Sequence, residues 1–153
     1  MAVLREETPY GAFNYIVALG GEQGTGDDGQ IVGGFSDVSG LGVDVSYSDY
    51  RNGNEKVNTA RKVPNTFKLD DVTLKRGLVG SIDLFNWLKG VRDGTADPRD
   101  VSITLLDEAR NPVQRWLLRN AWPVKIESSP LNAQGNEVVI ETLELAHEGF
   151  ETE

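Results

Sequence analysis

FSDVSGLGVDVSYSDYRNGNEKVNTARKVPNTFKLDDVTLKRG, residues 35–77, is the stretch from which the rest of the chain is read. Leu41, Val43, Val45 and Tyr47 alternate with Gly42, Asp44, Ser46 and Ser48, the pattern of a strand with one buried face. The next apolar run is Phe67, Leu69, Val72 and Leu74, which predicts a strand over Thr66–Lys75 with a bulge or tight turn at Asp70-Asp71. Between the runs lie Asp49 to Thr66, 18 residues of low apolar content. A connection that long is uncommon in a compact domain and is usually functional or disordered. This one holds Tyr50, Val57 and Val63, so its composition is not that of disorder. Asp49–Lys62 carries four bases (Arg51, Lys56, Arg61, Lys62) and two acids (Asp49, Glu55). That is a net +2, which leaves −11 on the rest of a chain whose total is −9. A basic arm on an acidic body is suited to meeting acidic protein surface. The plain alternative is a solvated hairpin loop.

Outward from this stretch the chain reads as mainly β. Phe13, Tyr15, Val17 and Leu19 predict a first strand, and Ile16 on its other side implies that both faces are partly covered. Gly20–Gln30 is rich in turn residues. It lacks the Lys-Ser/Thr ending of a phosphate-binding loop, and Asp27-Asp28-Gly29 is too short for a calcium loop. Ile31–Val38 is a strand weakened at Gly33-Gly34. Ser81–Gly94 is the one helical pattern. Ser81 stands at its N-cap, Asp83 in its first turn and Gly94 at its stop. Its apolar residues are Ile82, Phe85, Leu88 and Val91, widened by Leu84; Phe85 and Leu88 are expected inward and Trp87 on the flank. Further strands follow at Val101–Leu105, at Val113–Ile126 with a bend at Ala121-Trp122-Pro123, and at Glu137–Ala146. Loops at Asp107–Pro112 and Ser128–Gly135 separate them. Seven or eight strands and one helix predict a small β-barrel or sandwich with the helix outside.

Composition narrows the function classes. With 153 residues, a single domain over 1–153 buries enough surface for a core without disulfides. There is no cysteine, hence no thiolate nucleophile and no Cys-based metal site. The first residues, MAVLREE, lack the apolar segment of a signal peptide, which predicts cytoplasmic synthesis. A net charge of −9 argues against a nucleic-acid-binding face. The single histidine, His147, has no nucleophile paired with it in sequence. The carboxylate pairs Asp27-Asp28 and Asp70-Asp71 are adjacent in sequence, and Glu141 and Glu144 are three apart. Strand alternation therefore splits each pair between opposite faces. No catalytic, cofactor or metal site is expected.

Several segments together resemble the tail-tube proteins of contractile phages and phage-like contractile injection systems. They are Phe35–Leu41 (FSDVSGL), the Tyr50-Arg51-Asn52-Gly53 turn, Val72–Gly77 (VTLKRG), Trp87, Asn120–Pro123 (NAWP) and Glu137–Gly149 (EVVIETLELAHEG). The likeness runs in order from about Pro9 to Phe150. It implies a small β-barrel with one outer helix, and hexameric rings stacked into a hollow tube inside a contracting sheath. It implies as partners other copies of the chain, a sheath protein, baseplate and tube-initiator proteins, and cargo or DNA in the lumen. It also implies that Asp49–Thr66 reaches the neighbouring ring, so Asp49, Tyr50, Arg51, Glu55, Lys56, Arg61 and Lys62 are candidate inter-ring residues.

The residues support this reading on two points of their own. Several strands are apolar on both faces, more than a one-sided solvated sheet needs. A lone domain of this length, with a radius of gyration of about 15 Å, cannot enclose a cargo-sized channel. The surplus of acids outside the arm implies an acidic channel wall. The alternative from a different class is a monomeric carbohydrate- or peptide-binding β-domain, with Trp116, Trp122 and Tyr50 as exposed platforms.

Overall fold

A computed structural model describes residues 7–20, 31–80, 82–95 and 97–153. In chain order the elements are β1 (Tyr15–Leu19), β2 (Ile31–Gly33), β3 (Asp37–Ser39), β4 (Val43–Tyr50), β5 (Arg61–Leu69), β6 (Val72–Gly77) and α1 (Asp83–Arg92). They continue with β7 (Arg99–Leu106), β8 (Pro112–Ser128), β9 (Ile140–Ala146) and β10 (Gly149–Thr152). The main sheet runs β2-β1-β7-β8-β9-β6-β3, with β10 also paired to β8. All its ladders are antiparallel. Among the described residues the sheet does not close on itself, so the fold is an open, mainly β sandwich rather than a sealed barrel.

The strand β8 makes the sandwich. Its first half pairs with β7 and β10, and its second half pairs with β9. The chain turns between these halves at Asn120, whose φ is +51°. Few non-glycine residues adopt that conformation, and asparagine is among those that do. Asn120 is held there by its own N–H to Asp100 Oδ1 (3.2 Å) and its Nδ2 to Glu148 Oε2 (3.1 Å). One apolar core lies between the two arms. Val17 and Leu19 of β1, Val101 and Ile103 of β7, and Leu118 of β8 meet Val72 and Leu74 of β6 and Leu143 and Leu145 of β9. Each buried Val or Leu contributes about 1.5–3 kcal/mol of transfer free energy. In β6 and β9 burial alternates with the period of two that the sequence shows.

The helix closes one side of this core and corrects the expected phase. It spans Asp83–Arg92, with Ile82 at the N-cap and no side-chain cap bond; Ser81 lies outside the described residues. Leu84 and Trp87 are its buried residues and Leu88 is half-buried, whereas Phe85 is 47% exposed. The reason is geometric. Leu84, Trp87, Leu88 and Val91 fall at i, i+3, i+4 and i+7, a single face, and Phe85 is about 100° away from Leu84. Trp87 can take a core position because its indole N–H donates to Asp97 O at 2.8 Å. Gly94, with φ +86°, ends the helix as expected.

Three strand boundaries also differ from expectation. The segment Thr66–Lys75 is two strands, β5 and β6, split at Asp70-Asp71. The final strand begins at Ile140, not Glu137, and β2 and β3 are separate strands where one was expected. Nearly all of the Gly20–Gln30 loop, including Asp27 and Asp28, lies outside the described residues.

Candidate assembly surface

The hairpin formed by β4 and β5 is the anomaly of the fold. Among the described residues the two strands pair only with each other. All of β4 is exposed, and so is all of β5 except Leu69. The one buried face expected from the Leu41–Ser48 alternation is not buried within the protomer: Val43, Val45 and Tyr47 are exposed, while Leu41, ahead of β4, packs against the core. It also shortens the long connection. Arg61–Thr66 belongs to β5 and Asp49-Tyr50 to β4, so only residues 51–60 join the strands.

The hairpin has two chemically distinct faces. Val43 lies opposite Leu69, Val45 opposite Phe67 and Tyr47 opposite Pro64. A register shift between Val45 and Tyr47 keeps these apolar residues on one face where Asn65 and Thr66 both stand beside Ser46. On the other face Ser46 Oγ donates to Thr66 O (2.9 Å) and Asn65 Nδ2 to Ser48 Oγ (2.6 Å). Phe67 is 73% exposed and Tyr47 57%. A two-stranded hairpin is marginal alone in water, and an exposed apolar row of this kind marks an interaction surface. At about 3.4 Å per residue the hairpin reaches roughly 25–30 Å, enough to lie across a neighbouring molecule.

The connection 51–60 is folded by its own polar groups. Arg51 Nε donates to Val57 O (3.1 Å), and its Nη2 donates to Glu55 O (2.7 Å) and to Asn58 Oδ1 (3.4 Å). Tyr50 Oη donates to Asn52 Oδ1 at 2.6 Å. Of the residues expected to form the inter-ring contact, the structure brings most together with one another. Lys62 meets Asp49 (3.4 Å) and lies 4.2 Å above the Tyr47 ring; Arg61 meets Glu55 (3.1 Å). Lys56 stands apart, exposed, with no ion-pair partner among the described residues.

Other features frame this surface. Trp116, Trp122 and Tyr50 lie in three separate strand pairings, against Ile103, Ala146 and Arg61 respectively. Trp116 packs on the core, while Trp122 is 37% exposed beside a cleft of about 400 Å³ lined by Val91, Pro98, Asn120 and Glu148. Leu131 and Val138 are exposed in the β8–β9 connection. Arg76 and Glu141, a cross-strand pair, form a buried ion pair at 3.0 Å. Sequence reading passed over it, although Val72, Leu74 and Arg76 share one face by alternation. Burial, with Asp37 adding, holds the Tyr15 hydroxyl above its ordinary pKa; it donates to Phe35 O at 2.9 Å. No group of three or more His, Asp or Glu side chains converges among the described residues.

Comparison with known proteins agrees with this architecture. The family model described as T4-like virus tail tube protein gp19 matches residues 11–151. A chain in the cryo-EM structure of the anti-feeding prophage baseplate, 6-fold symmetrised, is 26% identical over 97% of this chain and 97% of that one, with a TM-score of 0.83. A chain in the extended-state sheath-tube complex of an extracellular contractile injection system (PVC) is 25% identical, covering 96% of this chain and 93% of that one, with a TM-score of 0.80. Hcp1 from Flavobacterium johnsoniae shares the fold at 14% identity and a TM-score of 0.58, with 92% and 94% of the two chains covered. No curated protein sequence matches. The chain belongs to the T4-like virus tail tube protein family.

Proposed function

We propose that this chain, as a single tube domain, is the structural subunit of the inner tube of a contractile phage tail or tail-like injection particle. Six copies close into a ring, and rings stack around a central channel. The observation that carries the reading is the β4–β5 hairpin, an apolar face displayed on a strand pair with no further strand partner among the described residues. That face is covered by a neighbouring copy. Asp49, Tyr50, Arg51, Glu55, Lys56, Arg61 and Lys62 shape the end of the hairpin that reaches the next ring. The 6-fold symmetrised assembly that contains a similar chain supports the ring size. The chain has a structural and not an enzymatic role. Its other partners are the sheath around the tube, baseplate and tube-initiator proteins at its end, and the cargo or DNA in the lumen.

The test is native mass and negative-stain microscopy of the purified protein across micromolar concentrations. Hexameric rings or tubes are expected. A strictly monomeric mass, with Trp fluorescence that responds to a sugar or peptide at the Trp122 cleft, would instead select the monomeric binding domain.

A further inference from the structure

His147, in the turn between β9 and β10, is bonded in a way that neutral imidazole cannot satisfy. Its Nδ1 lies 3.0 Å from Gly149 O and its Nε2 lies 2.9 Å from Asp70 O. A carbonyl oxygen only accepts. Neutral imidazole carries one N–H and makes one of these bonds; imidazolium carries two and makes both. Histidine is the side chain that changes charge between about pH 5 and 8, and this is the only one in the chain.

Asp70 is where the hairpin joins the body, between the end of β5 and the start of β6. Its N–H donates to Gly42 O (3.5 Å), which ties the returning strand to the outgoing one. Gly40 has φ +87°, and a Cβ there would collide with Asp71 O, so the segments that enter and leave the hairpin pass in close contact. The His147–Asp70 bond fastens this junction to the β9–β10 turn. We propose that His147 is a protonation-dependent latch that fixes the angle of the assembly hairpin. With the proton, both bonds form and the junction is clamped. Without it the ring has a single N–H; in the latch that proton stays on Nδ1, bonded to Gly149 O in the same turn, and the bond to Asp70 O opens. The charged groups on the surrounding elements are Asp70 and Asp71 at the junction, Glu144, Glu148 and Glu151 around the turn, and Arg119 and Lys125 on β8. Both bases are paired with carboxylates, Arg119 with Asp100 and Glu151 and Lys125 with Glu127. The Phe150 ring stands tilted at 40° to the imidazole, with the ring centroids 6.3 Å apart.

The importance of the latch for assembly rests on the tube reading, but the latch itself is measured apart from it. The first measurement is the nitrogen NMR spectrum of the single imidazole in the purified wild-type protein, taken from about pH 5.5 to 8.5. The second is hydrogen exchange of the Gly42 and Asp70 amides over the same range, corrected for intrinsic rates, in wild type and His147→Gln. Two protonated nitrogens are expected at the acidic end and one at the alkaline end. Junction protection should fall about 2- to 12-fold with rising pH in the wild type, the worth of one hydrogen bond. It should stay flat in the variant. A singly protonated ring throughout, or wild-type protection that does not change with pH, overturns the latch. Tubes that assemble normally while protection stays flat would sink the latch alone. A pH-dependent junction in a protein that never forms rings would uphold the latch and sink the tube reading.

Discussion

Arg76 and Glu141 show what single side chains decide here. Their ion pair is 3.0 Å long and buried, and Arg76 Nη2 has no hydrogen-bond partner among the described residues. Removing one member leaves the other charged and unpaired, which costs about 3–5 kcal/mol. Arg76→Ala should therefore lower unfolding stability by that amount in a urea titration. Arg76→Met with Glu141→Leu should recover most of it, because no charge is then stranded. The helix offers a second test at this scale. Trp87→Ala should cost about 3–5 kcal/mol and Leu84→Ala about 2–5. Phe85→Ala, at an exposed position of the protomer, should stay within about 0.5 kcal/mol. Thermal unfolding of the three variants at a concentration that keeps rings dissociated checks the order. A large loss from Phe85→Ala alone would restore the inward phase expected from sequence.

At the scale of elements, the same periodicity gave a correct reading in one place and an incomplete one in another. In β6 and β9 alternate residues do face the core, so Val72, Leu74, Leu143 and Leu145 were legible from sequence. In β4 the alternation of Val43, Val45 and Tyr47 is equally regular, yet the face is bare. Periodicity says that a face will be covered and not by whose atoms, so a face meant for another copy looks like a core face. The helix phase is not legible in sequence because two apolar arcs overlap, and the bond of Trp87 to Asp97 O, which suits it to a core position, comes only with the fold. Within the candidate arm, Arg61, Lys62 and Pro64 hid the start of β5 from a reading based on apolar spacing. The charges also act differently from a free basic arm. Lys62 and Arg61 have partners in the hairpin itself, and exposed pairs of this kind are worth about 0–1 kcal/mol each. Lys56→Glu is thus the cleaner probe of stacking. Rings should persist, while tubes shorten and become more sensitive to salt in negative-stain images across a salt series. Arg51→Ala should have a larger effect, because it removes the three bonds that shape the connection.

For the whole molecule, the account requires that folding and assembly come apart. The core lies in the sandwich and under α1, whereas the assembly face lies on a hairpin outside it. Phe67→Ser with Val45→Ser should leave the unfolding curve of the dissociated protomer nearly unchanged. Each of these side chains would lose about 1.5–3 kcal/mol of burial at every contact between copies, and sixfold repetition makes that loss large. The single most direct measurement is a cryo-EM reconstruction of the purified wild-type protein, assembled alone or on its baseplate. The account predicts six-fold rings stacked into a tube, with Val43, Val45, Tyr47 and Phe67 of each copy covered by another. A ring or tube in which that face of the hairpin remains in solvent would contradict it.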